Sequence, residues 1–183
     1  MVEDINWRDI HTIAFDFDGV FTDNKVLSNE NGEEFIRCDR SDGLGIGILK
    51  SFASQRGWDL RLLVVSKERN KAAFARCRKL KLDYHGGVDN KRQFLLETLD
   101  DKSKPYSDAG RGLLYVGNDI NDLSSFRLAQ FSIAPKDSHY LVKNAATAVA
   151  PVNGGDKFVR YVVELVIGME RMTEEDILAL IEG

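Results

Sequence analysis

Apolar residues along this chain fall in short blocks, each followed by a polar turn or a helix-like stretch. Residues 12–15 form a short, partly β-branched apolar run that ends at Asp16, which reads as a buried strand. Residues 26–28 and 34–37 flank the turn-rich Asn29-Glu30-Asn31-Gly32. Asn-Gly between two such runs is the strongest part of a β-hairpin signal. Leu44, Ile48, Leu49 and Phe52 recur at helical spacing and predict a helix over 43–55. Residues 60–65 read as the next apolar strand, with a basic helix over 67–79 behind it. A helix over 91–99, a strand over 113–116 and a helix from Asn121 follow. Residues 131–134 and 147–150 read as short strands, and 158–169 and 174–181 as closing helices. The most loop-like segment is 102–110, with Pro105 and Gly110, which reads as a surface connection.

Strands that alternate with helices imply an α/β fold with a mainly parallel central sheet. In such sheets the ligand lies outside the carboxyl ends of the strands. Asp16, Ser66 and Gly117-Asn118-Asp119 each follow an apolar strand directly. Three strand ends with polar residues point to a site there.

Composition narrows the classes. The 183 residues fit a single domain over 1–183, and no internal repeat or low-complexity tract divides them. Hydrophobic content of 43% and charged content of 30% are ordinary for a globular protein. A net charge of -4 argues against a nucleic-acid partner, which calls for a basic excess. Cys38 and Cys77 form no metal-type pair and read as reduced thiols, which with the absence of a signal-like start implies a cytoplasmic protein. The apolar stretch over 161–169 is broken by Glu164 and Gly168 and is too short for a bilayer, so no membrane association is expected.

Four segments carry candidate chemistry. Asp16-Phe17-Asp18-Gly19 puts two carboxylates at a strand end, and Gly19 allows close backbone approach to a ligand. The string also opens calcium loops, but Val20, Phe21 and Thr22 stand where such a loop needs oxygen ligands. Ser66 offers a hydroxyl at a strand end, either to a phosphate oxygen or as a plain helix N-cap. Lys91 stands near a helix start, a poor place for a cation unless it neutralises a bound anion. The run Tyr115-Val116-Gly117-Asn118-Asp119-Ile120-Asn121-Asp122 offers amide and carboxylate oxygens of the kind that hard divalent ions take. Its plainer reading is a strand-to-helix turn capped by Asn121 or Asp122.

In this order the four segments resemble the motif set of the haloacid-dehalogenase-like hydrolases, over about residues 13–128. Phe15 to Asn24, with Asp16-Phe17-Asp18-Gly19-Val20-Phe21-Thr22-Asp23 within it, is similar to the opening of the capless sugar-acid phosphatases of that superfamily. Arg40-Ser41-Asp42-Gly43-Leu44-Gly45-Ile46 resembles their Asp-Gly-x-Gly-Ile helix start, and Asn153-Gly154-Gly155-Asp156-Lys157-Phe158-Val159-Arg160 their late Gly-Gly-x-Gly-x-x-Arg segment. That group includes phosphatases of 3-deoxy-D-manno-octulosonate 8-phosphate and of nine-carbon acylneuraminate-type 9-phosphates. The fourth motif also resembles the phosphatase-like module of some acylneuraminate cytidylyltransferases.

The resemblance implies a Rossmann-like three-layer sandwich with a β-hairpin insertion and no large cap. It implies Asp16 as nucleophile, forming an aspartyl-phosphate, and Asp18 as general acid and base. Gly19, Ser66, Lys67, Lys91 and Asn118 are the expected phosphate-binding residues. Mg²⁺ is the expected cofactor, held by Asp16, by Asp18 through its backbone carbonyl, and by an oxygen of Asn118 or Asp119. Asp122 is a further metal candidate in that motif. Three positions depart from the pattern. Ser66-Lys67-Glu68 stands for Thr-Gly-Arg, with Lys67 or Arg69 in the arginine's place; Asn118 replaces the first acid of Gly-Asp-Asp; and Lys157 replaces the third glycine. The expected substrate is a small phosphorylated sugar acid. Relatives without a cap close their crevice with a neighbouring subunit, so a homotetramer is expected, with the hairpin over 26–35 as the contact. Another small phosphorylated metabolite as substrate, or a non-catalytic phospholigand-binding role, are the competing readings.

Overall fold

A computed structural model of the chain describes residues 7–99 and 110–182. Its order begins with β1 (Thr12–Phe15), β2 (Leu27–Ser28), β3 (Glu34–Phe35), α1 (Arg40–Gln55), β4 (Arg61–Ser66), α2 (Lys71–Lys79), β5 (Asp83–Gly86) and α3 (Lys91–Leu99). It continues with β6 (Leu113–Val116), α4 (Leu123–Leu128), β7 (Phe131–Ala134), α5 (Tyr140–Ala145), β8 (Ala148–Val149), α6 (Phe158–Ile167) and α7 (Glu174–Glu182). Of the loop expected over 102–110, residues 102–109 lie outside the described residues. No helix among the described residues is long and apolar enough to cross a membrane.

Six strands form one sheet in the order β5-β4-β1-β6-β7-β8. Every pairing within it is parallel. The central strands are buried on both faces, so alternate side chains feed two cores. Ile13, Phe15, Leu62, Val64, Leu114 and Val116 join the core under α1 and α6. Ala14, Leu63, Val65, Leu113 and Tyr115 join the core under α3, α4 and α5. The result is three layers, an α/β fold of Rossmann type; the alternation of elements implied the parallel α/β sheet, and the resemblance implied the three layers. Burial of a side chain such as Phe15 contributes about 1.5–3 kcal/mol. On α6, Val159, Val162, Val163 and Val166 make one buried stripe, and the helix ends at Gly168, whose φ of 65° suits the left-handed terminus.

Several boundaries differ from expectation for local reasons. Helix α2 starts at Lys71, four residues after 67, because Asn70 is the N-cap and accepts from Ala72 N and Ala73 N. Ser66 is therefore not a helix cap. Helix α1 starts at Arg40, where the Asp39 carboxylate accepts from Ser41 N at 2.8 Å. The three glycines in its first turns hide that start from a propensity reading. Strand β5 was unforeseen because Asp83-Tyr84-His85-Gly86 is polar, and it forms at the sheet edge by pairing with β4. Helix α5 was unforeseen as well, being only six residues long.

Strand order places the site. β1 lies between β4 and β6, with Phe15 level with Val64 on one side and Val116 on the other. The chain winds outward through β4 and β5, then crosses to β6 on the far side of β1. Asp16, Ser66 and Gly117 emerge side by side at this change of direction, where open α/β sheets form their ligand crevice.

Candidate active site

Asp16 is the first residue beyond β1, and its N–H still donates to Val116 O at 2.8 Å. The backbone is therefore fixed up to the residue that carries the carboxylate. Asp16 Oδ1 accepts from Phe17 N at 2.7 Å and lies 2.8 Å from Lys91 Nζ. Asp16 Oδ2 has no hydrogen-bond partner among the described residues.

Lys91 opens α3, where Asn90 Oδ1 accepts from Gln93 N at 3.0 Å. Its side chain runs inward, and the residue is 2% exposed. It bridges Asp16 Oδ1 and Asp122 Oδ1, each at 2.8 Å. Asp122 is fully buried and accepts four hydrogen bonds. Lys91 and the Tyr115 hydroxyl reach Oδ1, and the N–H groups of Asn118 and Asp119 reach Oδ2. Four donors fill a carboxylate's lone pairs. Asp122, a metal candidate by sequence, thus has no oxygen left for a cation; it holds Lys91 and the turn after β6 instead.

Asn118 and Asp119 differ in the same way. Asp119 is exposed, and its Oδ1 accepts from Ile120 N at 2.7 Å to cap the turn Ile120–Asp122. Asn118 is 7% exposed, and its Oδ1 is buried without a partner. An orphaned buried oxygen is costly unless something fills it. The amide also explains Gly19, whose φ is +79° and where a Cβ would stand 2.0 Å from Asn118 Nδ2.

A cavity of about 390 Å³ opens over these groups. Six of the sequence-predicted residues line it: Asp16, Asp18, Ser66, Lys67, Asn118 and Asp119. Gly19, Lys91 and Asp122 stand behind its wall. Ser66 is buried, with Oγ accepting from Glu68 N at 3.1 Å. Asn24, Glu68, Ile120 and Asn121 also line the cavity and were not predicted. Asn24 is a left-handed residue with φ of 61° in the loop after Asp18, a conformation that Asn tolerates but that the sequence alone does not announce. Tyr115 was read as part of an apolar strand, and nothing in the sequence distinguished its hydroxyl.

The electrostatics ask for a cation. Two buried carboxylates share one ammonium, which leaves the cluster short of positive charge. Burial, and then Asp122, push the Asp16 carboxyl up to about 8, with Lys91 pulling the other way. Burial works against the charge on Lys91, but Asp16 and Asp122 outweigh it and raise its pKa. Asp18 is raised by burial first and by Glu68 and Glu34, against the pull of Lys91. Among the described residues, no three His, Cys, Asp or Glu side chains converge as a metal cage. A divalent ion that keeps waters needs fewer: one carboxylate, one backbone carbonyl and one amide oxygen make a sufficient oxygen set. Asp16, Asp18 and Asn118 can supply it.

No family model matches the chain. The chain is similar to three known proteins in particular. A HAD family hydrolase from Streptomyces avermitilis is 37% identical, with 91% of this chain and 96% of that one covered and a TM-score of 0.79. The 3-deoxy-D-manno-octulosonate 8-phosphate phosphatase KdsC of Escherichia coli K12 is 27% identical over 161 residues, which cover 87% of this chain and 80% of that one. The phosphatase of the same name from Moraxella catarrhalis, whose crystal structure contains a magnesium ion, a phosphate ion and a KDO molecule, shares the fold. It has a TM-score of 0.79 at 24% identity, over 96% of this chain and 94% of that one. With these kin, and with Asp16, Lys91 and the fourth motif assembled at one crevice, the chain belongs to the HAD family of hydrolases, among its phosphatases.

Proposed function

We propose that the protein is a Mg²⁺-dependent phosphomonoester hydrolase that works through an aspartyl-phosphate on a 2-keto-3-deoxy sugar-acid phosphate. The expected substrate is of the octulosonate 8-phosphate or nonulosonate 9-phosphate type. The observation that carries this reading is the Asp16 carboxylate, with Oδ1 fixed by Lys91 and Phe17 N and Oδ2 left without a partner at the cavity.

In this reading Asp16 Oδ2 attacks phosphorus, and the bond from phosphorus to the sugar oxygen breaks. Asp18 gives its proton to the departing oxygen, a role that the upward push of burial on its carboxyl favours. Asp18 then takes a proton from water, whose oxygen attacks phosphorus. The bond to Asp16 breaks and inorganic phosphate leaves. Ser66 and Lys67 meet the phosphoryl oxygens from the cavity wall, and Lys91 offsets negative charge from behind it. Asp16, the Asp18 carbonyl and Asn118 Oδ1 would hold Mg²⁺, which supplies positive charge for the phosphoryl group.

The sugar-acid assignment draws on the octulosonate phosphatases among the relatives and on the openness of the crevice. Between β1 and α1 the chain builds only the β2–β3 hairpin. That hairpin leaves Leu27 75% and Phe35 56% exposed, which fits a neighbouring subunit in a homotetramer. A cytoplasmic location fits the free thiols of Cys38 and Cys77. The test is a panel of phosphorylated metabolites with and without Mg²⁺. Preferential phosphate release from octulosonate or nonulosonate phosphates supports the reading; equal release from unrelated phosphomonoesters contradicts the substrate assignment.

A further inference from the structure

Two segments that stood out in the sequence lie off the cavity wall: Asp42-Gly43-Leu44-Gly45 and the stretch from Gly154 to Arg160. The fold joins them behind the catalytic loop, the stretch over 16–24 after β1 that carries Asp16 and Asp18. Asp42 is buried in α1, and its Oδ1 accepts from Arg160 N at 2.9 Å. Gly45 makes that approach possible, since a Cβ there would stand 3.2 Å from Arg160 Cα. The first turn of α6 is thus pinned to α1.

The residues just before it press on the catalytic loop. A Cβ on Gly154 would stand 1.9 Å from Gly19 O, and one on Gly155 would stand 2.4 Å from Thr22 C. Gly155 N donates to Val20 O at 3.1 Å. Backbone therefore meets backbone, with no flexible side chain between to absorb a shift. The loop after β7 completes the brace. Asp137 Oδ1 accepts from Gly154 N at 3.0 Å, and Lys136 N donates to Val152 O at 2.9 Å. Two residues on, His139 N donates to Asn118 O at 3.1 Å. One short stretch of chain touches both the glycine segment and the amide-bearing residue of the site.

We propose that Asp137 and Asp42 are positioning residues that clamp residues 153–160 against the catalytic loop, and so set the Asp18–Gly19 peptide and Asn118 relative to Asp16. This rests on the proposed function, because the oxygens being placed are those assigned to Mg²⁺. Asp42→Ala would leave the Arg160 N–H at the start of α6 without its acceptor and empty a buried position in α1, and its effect on folding would mask any effect on the site. Asp137 is exposed and tests the idea cleanly.

The experiment compares wild type, Asp137→Ala and Asp137→Asn by Mg²⁺ titration calorimetry without substrate, with kcat and KM measured in parallel. Asp137→Ala is expected to weaken Mg²⁺ binding by about 10-fold and to lower kcat by a similar factor, as loss of a group supporting metal ligands does. KM should stay within about twofold, since Asp137 does not line the cavity over Asp16. Asp137→Asn should restore most of both, because its carboxamide oxygen can accept the same N–H. Mg²⁺ affinity and kcat unchanged in Asp137→Ala, whatever happens to the melting temperature, would overturn the proposal alone. An Asn variant as impaired as the Ala variant would also overturn it. A wild-type protein that binds no Mg²⁺ would overturn the functional reading and this proposal with it.

Discussion

The Tyr115 hydroxyl donates to Asp122 Oδ1 at 2.7 Å, on the same oxygen that Lys91 reaches at 2.8 Å. Through that oxygen a tyrosine in the middle of β6 helps hold the ammonium that sits on Asp16. Tyr115→Phe would keep the ring against Phe126, at 5.6 Å between centroids, and remove only the donor. The expected loss is about 1.5–3 kcal/mol of stability, typical of a hydrogen bond to a charged group, with kcat reduced but not abolished. Lys91→Met should cost more, about 3–5 kcal/mol, because it leaves buried carboxylates unpaired, and should remove activity. Urea denaturation and steady-state kinetics of both variants check this. A Phe variant as stable and as fast as wild type would contradict the chain from Tyr115 to Lys91.

Without metal, stability should fall as pH rises towards 8. Asp16 is held up to about 8 in the folded protein, against ~3.9 for an unfolded Asp. Between those values the folded state holds a proton that the unfolded chain has lost, so raising the pH favours unfolding. Asp42, pushed up to about 6 by burial, adds to the same trend in the lower half of that range. Melting temperatures of chelator-treated protein should therefore be higher near pH 6 than near pH 8. Asp16→Asn should flatten the upper half of the slope, and saturating Mg²⁺ should do the same by favouring the ionised carboxylate. A metal-free wild type whose melting temperature rises over that interval would contradict this account of Asp16.

Asn118 and Asp119 should separate in metal binding. The orphaned amide oxygen of Asn118 is the group that a cation can fill, whereas the Asp119 carboxylate already caps Ile120 N. Asn118→Ala should weaken Mg²⁺ binding by about 10-fold or more, and Asp119→Ala by far less. Gly19→Ala should mimic the Asn118 variant, since its Cβ would occupy the place of the Asn118 amide. Calorimetry on the three variants decides the matter, and the reverse order for Asn118 and Asp119 would move the metal to Asp119.

The hairpin should be an assembly surface. Charge at its exposed apolar positions, as in Leu27→Lys with Phe35→Lys, should dissociate the proposed tetramer and leave the fold intact. Sedimentation of wild type and the double variant, with circular dichroism, checks it. A wild type that sediments as a fully active monomer would remove the hairpin's proposed role.

What the sequence revealed followed from which signals are local. The apolar runs over 12–15 and 113–116 match β1 and β6 in full, because strands buried on both faces admit little else. Asp16, Ser66 and Asn118 could be placed at one crevice because each follows such a strand. The polar strand β5 could not be read, since its pairing with β4 is a tertiary event. The division of labour within the fourth motif was equally out of reach. Asn118, Asp119 and Asp122 all offer oxygens in sequence, and only the folded arrangement, which brings Lys91 of α3 and the Tyr115 hydroxyl to Asp122 beside two N–H groups of its own turn, shows that its lone pairs are taken. The glycines at 154 and 155 signalled a tight passage but not what they pass against, which is the catalytic loop more than a hundred residues earlier.

The central claim is that Asp16 Oδ2 forms the bond to phosphorus. Its most direct measurement is rapid acid quench of the protein with Mg²⁺ and an octulosonate phosphate, followed by mass spectrometry of the peptide that carries Asp16. The account predicts a transient phosphoryl adduct on Asp16 that appears before free phosphate, and neither adduct nor phosphate from Asp16→Asn. Release of phosphate by Asp16→Asn at the wild-type rate, with no adduct on either protein, would contradict it.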